Sequence, residues 1–169
     1  IAHVTKRDEL IRHIIEEKQL TLIAVAGTHG KTTTTAMLVW TLQQLGVPVS
    51  YSVGSTLSFA PSGAYVPESR YFVYECDEYD RNFLHFSPAL SLITSIDYDH
   101  SDTYPTPADY RAAFEQFIGQ SAQTIGWERD LAGLHTPENT WHLDENEQLN
   151  IALPGAHNRA NATLVRKGL

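Results

Sequence analysis

Apolar positions along the chain alternate between two spacings. Leu10, Ile11, Ile14 and Ile15 recur at helical intervals within residues 5–18, where Thr5 and Asp8 resemble a capping pair. Residues 20–26 form an apolar run of strand length, broken by the segment Gly27 to Gly30. Residues 31–45 then read as a helix closed by Gly46. The pattern predicts further strands at 47–53, 71–76, 89–96 and 123–127, and a helix over 107–117 with Pro107 suited to its first turn. Residues 55–67, rich in Ser, Gly and Pro, read as a loop. Residues 141–143 and 149–153 read as a hairpin around 144–147, and 156–165 opens a last helix.

Strands alternating with helices indicate an α/β fold, a mostly parallel sheet flanked by helices. Such sheets bind ligands beyond the C-terminal ends of their strands. The polar clusters of this chain fall directly after predicted strands, where that rule places function.

Composition narrows the classes. With 169 residues the chain suits one domain with one respectable core. No apolar run approaches the roughly 20 residues that span a bilayer, and residues 1–12 lack the order of a signal peptide. A cytoplasmic protein with no membrane partner is the expectation. Twenty acidic against twelve basic residues, a formal charge of -8, argue against a nucleic-acid partner, whose phosphates require clustered Lys and Arg. A nucleotide is not excluded, since a few backbone N–H groups and one Lys suffice. The single Cys76 offers neither an internal disulfide nor a zinc site.

Four motifs carry chemistry. Gly27-Thr28-His29-Gly30-Lys31-Thr32-Thr33 follows a strand and opens a helix. Glycines let the backbone curl so that N–H groups converge on phosphate oxygens, and the helix N-terminus adds partial positive charge. Lys31 would reach the β- and γ-phosphates, and the Thr32 hydroxyl would ligate Mg²⁺. The full phosphate-loop pattern asks for Gly at position 25, where this chain has Val25. Glu75-Cys76-Asp77-Glu78-Tyr79-Asp80 places four carboxylates within six residues. Alone this is a solvated loop; beside a phosphate turn it suits Mg²⁺. His100, after a different strand, is either a ligand at the same sheet edge or a satisfied structural residue. In the stretch Pro154 to Ala162, His157 or Asn158 suits a helix cap. Asn158 and Asn161, three apart, would also present two amides to an adenine edge.

These four motifs, in order and spacing, resemble the central domain of the Mur ligase family across about residues 20–165. The resemblance implies a P-loop NTPase-like fold that binds ATP and Mg²⁺. It implies that residues 27–33 cradle phosphate with Thr32 on one magnesium, and that Glu75 and His100 bind a second. It puts Asn158 and Asn161 at the nucleotide, with Asn161 at the adenine, and His29 is the loop residue of the alanine-adding branch. Many members carry a carbamylated lysine in the helix after the histidine; matching Tyr110-Arg111-Ala112-Ala113 to that stretch puts Phe114 there. Phe cannot carry a carbamate, which favours the alanine-adding branch, whose substrates are UDP-N-acetylmuramate and L-alanine. Tyr79 fits the murein-peptide-recycling branch better, whereas the direct run from Asn82 to the 86–88 turn lacks that branch's insert. A folylpolyglutamate or cyanophycin type of ligase, and a nucleotide-binding module without ligase chemistry, are the alternatives. Residues 1–169 then read as a fragment, the ATP-binding domain without the UDP-binding and C-terminal domains that flank it in the family, and inactive alone.

Overall fold

A computed structural model describes residues 6–169. In chain order it contains α1 (Arg7–Glu17), β1 (Thr21–Ala26), α2 (Lys31–Gln44), β2 (Val49–Ser52), β3 (Gly63–Ala64) and β4 (Tyr71–Glu75). These are followed by β5 (Leu90–Ile93), α3 (Pro107–Gln120), β6 (Thr124–Trp127), α4 (Glu128–Leu131), β7 (Thr140–Leu143) and α5 (Ala156–Gly168). Short 3-10 segments cover Tyr79–His85 and Glu145–Glu147. The seven strands lie in the order β3-β2-β4-β1-β5-β6-β7. Every pairing is parallel except the two-residue antiparallel contact of β3 with β2. Among the described residues no helix is long and apolar enough to cross a membrane.

The central strand explains the two layers of core. Strand side chains alternate between faces, and β1 is apolar at both, as a strand covered on two sides must be. Leu22, Ala24 and Ala26 pack on one face with Ile11 of α1 and with Phe114 and Phe117 of α3. Ile23 and Val25 pack on the other with Leu38 and Val39 of α2 and Leu164 of α5. Val25 is therefore a fully buried strand residue, and the tight turn begins only after Ala26. The expected α/β architecture is the observed one.

Phe114 belongs to this core. It is wholly buried, with ring centroids 5.1 Å from both Phe83 and Tyr110. Its helix starts as the sequence predicts: Pro107 occupies the first turn, and the Thr106 hydroxyl accepts from the Asp109 N–H at 3.2 Å.

Several expectations need correction. Residues 141–143 and 149–153 do not form a hairpin. β7 instead runs parallel to β6 at the sheet edge, leaving Trp141 half exposed. Asp144 then caps a 3-10 turn, accepting from the Asn146 N–H at 2.8 Å. The Leu149 N–H donates to Thr163 Oγ1 at 2.9 Å, so the chain docks on α5 rather than returning along β7. The 55–67 loop contributes β3 to the sheet. Thr5 of the expected capping pair lies outside the described residues; Asp8 is buried, its Oδ2 2.5 Å from His85 Nδ1. Helix 107–117 extends one further turn, to Gln120.

Asp130 joins the β6 end of the sheet to the chain leaving β5. Its Oδ1 accepts from the Ile96 N–H at 3.3 Å, while Oδ2 is buried without a hydrogen bond. Arg129 Nε stands 3.5 Å from that oxygen, outside hydrogen-bond geometry. Burial raises the Asp130 carboxyl above its ordinary value despite the Ile96 N–H and Arg129.

Two outcomes are expected. Phe114→Ala removes a buried ring and lowers stability by about 3–5 kcal/mol in denaturant unfolding; a loss below about 1 kcal/mol would show that this aromatic cluster is not structural. For Asp130, a raised folded-state pKa means that the native protein binds more protons than the unfolded chain. Its contribution is most favourable below the ordinary aspartate value and declines as pH rises through the raised one. Unfolding midpoints taken from acid to neutral pH should show this decline flattened in Asp130→Asn; parallel profiles would refute it.

Candidate active site

The turn between β1 and α2 is held by close backbone approaches. Gly27 has φ +136°, and a Cβ there would lie 2.3 Å from Thr94 Oγ1 and 2.8 Å from the Ser95 nitrogen. Only glycine accommodates both constraints. The Thr28 N–H donates to Ser95 O and the His29 N–H to Ser95 Oγ, each at 3.0 Å. Thr28 Oγ1 lies 2.7 Å from the Tyr110 hydroxyl and accepts from the Asp97 N–H at 2.9 Å. The Thr28 side chain thus ties the turn to the chain after β5 and to α3. Gly30, at φ +83°, leads into the first turn of α2, where unpaired N–H groups concentrate.

Lys31 and Thr32 open that helix and face the ends of β4 and β5. Lys31 Nζ donates to Gly27 O at 2.7 Å and to Glu78 Oε2 at 2.7 Å. Glu78 is fully buried. Burial raises its carboxyl above the ordinary value, with Lys31 opposing the shift. Its second oxygen, Oε1, has no hydrogen bond, although His100 Nε2 lies 3.4 Å away. The Tyr104 hydroxyl donates to the Glu78 carbonyl at 2.5 Å; burial pushes that phenol up to about 12, which keeps it a donor. His100 itself sits at φ +55°, and the Tyr79 ring packs on it at 5.2 Å.

Thr32 is paired with Glu75. The Thr32 hydroxyl donates to Glu75 Oε1 at 2.7 Å, and the Gly54 N–H donates to Oε2 at 2.6 Å. A Cβ at Gly54 would stand 2.7 Å from Glu75 Oε1, so a third glycine of this region makes room for a carboxylate. Thr32, Glu75 and His100 line one cavity of about 560 Å³, together with Lys31, Asp77 and Arg7. Arg7 reaches it from α1, donating to Ser52 Oγ at 2.8 Å and Val53 O at 3.1 Å. Among the described residues no three His, Cys, Asp or Glu side chains form a preassembled metal cage. Magnesium does not require one, since it takes one or two carboxylates and completes its shell with phosphate oxygens and water. The Thr32 hydroxyl and Glu75 carboxylate, held on one another beside the glycine turn at the start of α2, fit that demand.

A second cavity of about 320 Å³ opens behind the turn, lined by His29, Gly30, Thr33, Arg129, Asn158 and Asn161. Asn161 is buried, and its amide lies 3.0 Å from where a Gly30 Cβ would stand. The two asparagines of α5 thus line one cavity beside the turn. Neither His157 nor Asn158 is the N-cap. That position is Gly155 at φ +83°, and the Asn158 amide donates to Pro154 O at 2.9 Å from within the first turn.

Glu75 and His100 therefore line one cavity, as the motif order suggested, but the carboxylate nearest His100 is Glu78. Sequence reasoning counted Glu78 among four acids without distinguishing it. The available signal was its place three residues beyond Glu75, after a strand whose end faces the lysine. Arg7 carried no signal, since it belongs to a helix remote from the motifs.

Comparison with known proteins agrees with this geometry. Residues 25–131 match the family model described as the Mur ligase middle domain. A UDP-N-acetylmuramate–L-alanine ligase of Salinispora arenicola is 50% identical over 95 residues, 56% of this chain and 19% of that protein. The chain spans about a fifth of the length of the curated relatives it matches first. The crystal structure of the UDP-N-acetylmuramate–alanine ligase of Thermotoga maritima superposes with a TM-score of 0.79 at 25% identity, covering 95% of this chain and 44% of that one. A MurF ligase from Thermotoga maritima, solved in complex with ADP, shares the fold at a TM-score of 0.58 and 19% identity, over 85% of this chain and 38% of that one. The glycine turn after β1 and the acidic end of β4 both fall within the matched residues, and the chain belongs to the Mur ligase family through its middle domain.

Proposed function

We propose that this chain is the ATP-binding part of a ligase that joins L-alanine to UDP-N-acetylmuramate. The observation that carries the reading is the convergence of Lys31 and Thr32, at the start of α2, on Glu75, Glu78 and His100 at the ends of the neighbouring strands. The named activity of the Salinispora relative supports the substrates, and the ADP complex of the Thermotoga MurF ligase supports the nucleotide.

In this reading the N–H groups of residues 27–33 and the start of α2 hold the phosphates, and Lys31 offsets the charge that develops on them. The carboxylate oxygen of UDP-N-acetylmuramate bonds to the γ-phosphorus as the bond to ADP breaks, giving an acyl phosphate. The amine of L-alanine then attacks the acyl carbon and expels phosphate, forming the amide and losing a proton. Thr32, and Glu75 with His100, would hold magnesium, which would supply charge neutralisation at the phosphates. His29, Asn158 and Asn161 line the cavity that takes the nucleoside, with Asn161 offering both a donor and an acceptor to adenine. The carbamate of other family members has no counterpart here, because Phe114 is a core residue. Further domains supply the UDP and alanine sites in the complete enzyme, so this chain alone does not form the amide.

Calorimetric titration with Mg-ATP tests the nucleotide site. The wild-type chain is expected to bind, and Lys31→Met to weaken binding by about 10- to 100-fold, the value of a charge-assisted hydrogen bond. Equal affinity in both would remove Lys31 from the phosphate site. Amide formation by this chain alone from UDP-N-acetylmuramate, L-alanine and ATP would refute the need for further domains.

A further inference from the structure

Glu78 poses a problem that the proposed function leaves open. A wholly buried carboxylate is normally satisfied at both oxygens, because desolvation is costly unless every lone pair finds a partner. Here one oxygen holds Lys31 at 2.7 Å and the other is buried without a hydrogen bond, 3.4 Å from His100 Nε2. Lys31 in turn is fully engaged inside the protein, with Gly27 O at 2.7 Å, Thr28 O at 3.5 Å and Glu78. A phosphate arriving at the turn therefore competes with a carboxylate already in place. If it takes the ammonium, Glu78 loses the hydrogen bond from Lys31 while its other oxygen is already without one.

Resting on the ATP reading above, we propose that Glu78 is an exchange partner for Lys31. A nucleoside triphosphate takes the lysine, and the carboxylate it releases receives, beside His100, the divalent cation that accompanies the nucleotide. The geometry supports the exchange on three counts. The second oxygen of Glu78 already faces the histidine. The carbonyl of Glu78 is fixed by the Tyr104 hydroxyl at 2.5 Å, which anchors the residue while its side chain changes partner. Lys31, the first residue of α2, already reaches both the turn, at Gly27 O, and Glu78. The exchange makes cation and nucleotide binding mutually dependent: nucleotide alone leaves a bare buried carboxylate, whereas nucleotide with cation does not. Such a coupling is a free energy shared by both ligands.

The test is a calorimetric titration with a non-hydrolysable ATP analogue, in excess Mg²⁺ and in EDTA, for the wild-type chain and Glu78→Gln. In the wild type Mg²⁺ should strengthen binding. In Glu78→Gln the lysine has no anion to leave, so binding in EDTA should tighten by about tenfold and the gain from Mg²⁺ should shrink by about tenfold or more. A merely structural role would change both affinities by the same factor, and that result would overturn the exchange, as would no change in either. Should Glu78→Gln fail to fold, Glu78→Asp serves, because its shorter arm loosens the hold on Lys31 while keeping a carboxylate. It should tighten binding in EDTA yet retain more of the Mg²⁺ gain, and wild-type affinity in EDTA would overturn the proposal. A wild-type chain that binds the analogue under neither condition would sink the ATP reading and this inference together; normal wild-type binding with an unaltered Mg²⁺ gain in Glu78→Gln would sink the inference alone.

Discussion

The architecture of the site depends on one close approach, that of Gly27 against Thr94 and Ser95. β1 and β5 are parallel neighbours, and both chains leave the sheet at the same end. The turn after β1 can curl only if it lies directly on the backbone leaving β5, and the missing side chain at position 27 permits this. Thr28, His29 and Asp97 then lock the two exits together. From that fixed base the first turn of α2 projects Lys31 and Thr32 across the end of β1 toward β4. A side chain at Gly27 would displace the base from which Lys31 and Thr32 reach Glu78 and Glu75.

The second organising feature is the division of labour between the acidic residues after β4. Glu75 is still in the strand, held by Thr32 and the Gly54 N–H and open to the cavity. Glu78 lies beyond it, withdrawn from solvent and turned toward Lys31 and His100. Two groups with the same chemistry thus differ in what they can do. One lines a cavity with both oxygens hydrogen-bonded; the other is a buried carboxylate whose charge is balanced by Lys31.

Much of this was legible in the sequence. β1 and the start of α2 carry strong local signals, an apolar run cut by glycines followed by Lys-Thr, and tertiary packing had little to overrule. Phe114 was legible as an anomaly, and its burial gives the physical meaning: a ring packed at a tilt between Phe83 and Tyr110. The stretch after β6 was not legible. Trp141 to Leu143 alternates as any edge strand would, and nothing local says that its partner is parallel and distant in sequence. The Asp144 cap and the Thr163 contact that redirect the chain are tertiary decisions. Glu78 was invisible for a similar reason: burial, not residue type, separates it from its acidic neighbours.

The two borders of the sheet are unlike. One ends in β3, a two-residue strand running against the rest, and so short an edge offers little for another chain to copy. The other ends in β7, four residues long, with Trp141 on its exposed side. Its outward backbone groups make it the better template for a stray strand, so self-association during folding would have a direction. That border, beside Trp141, lies at the opposite end of the sheet from β3.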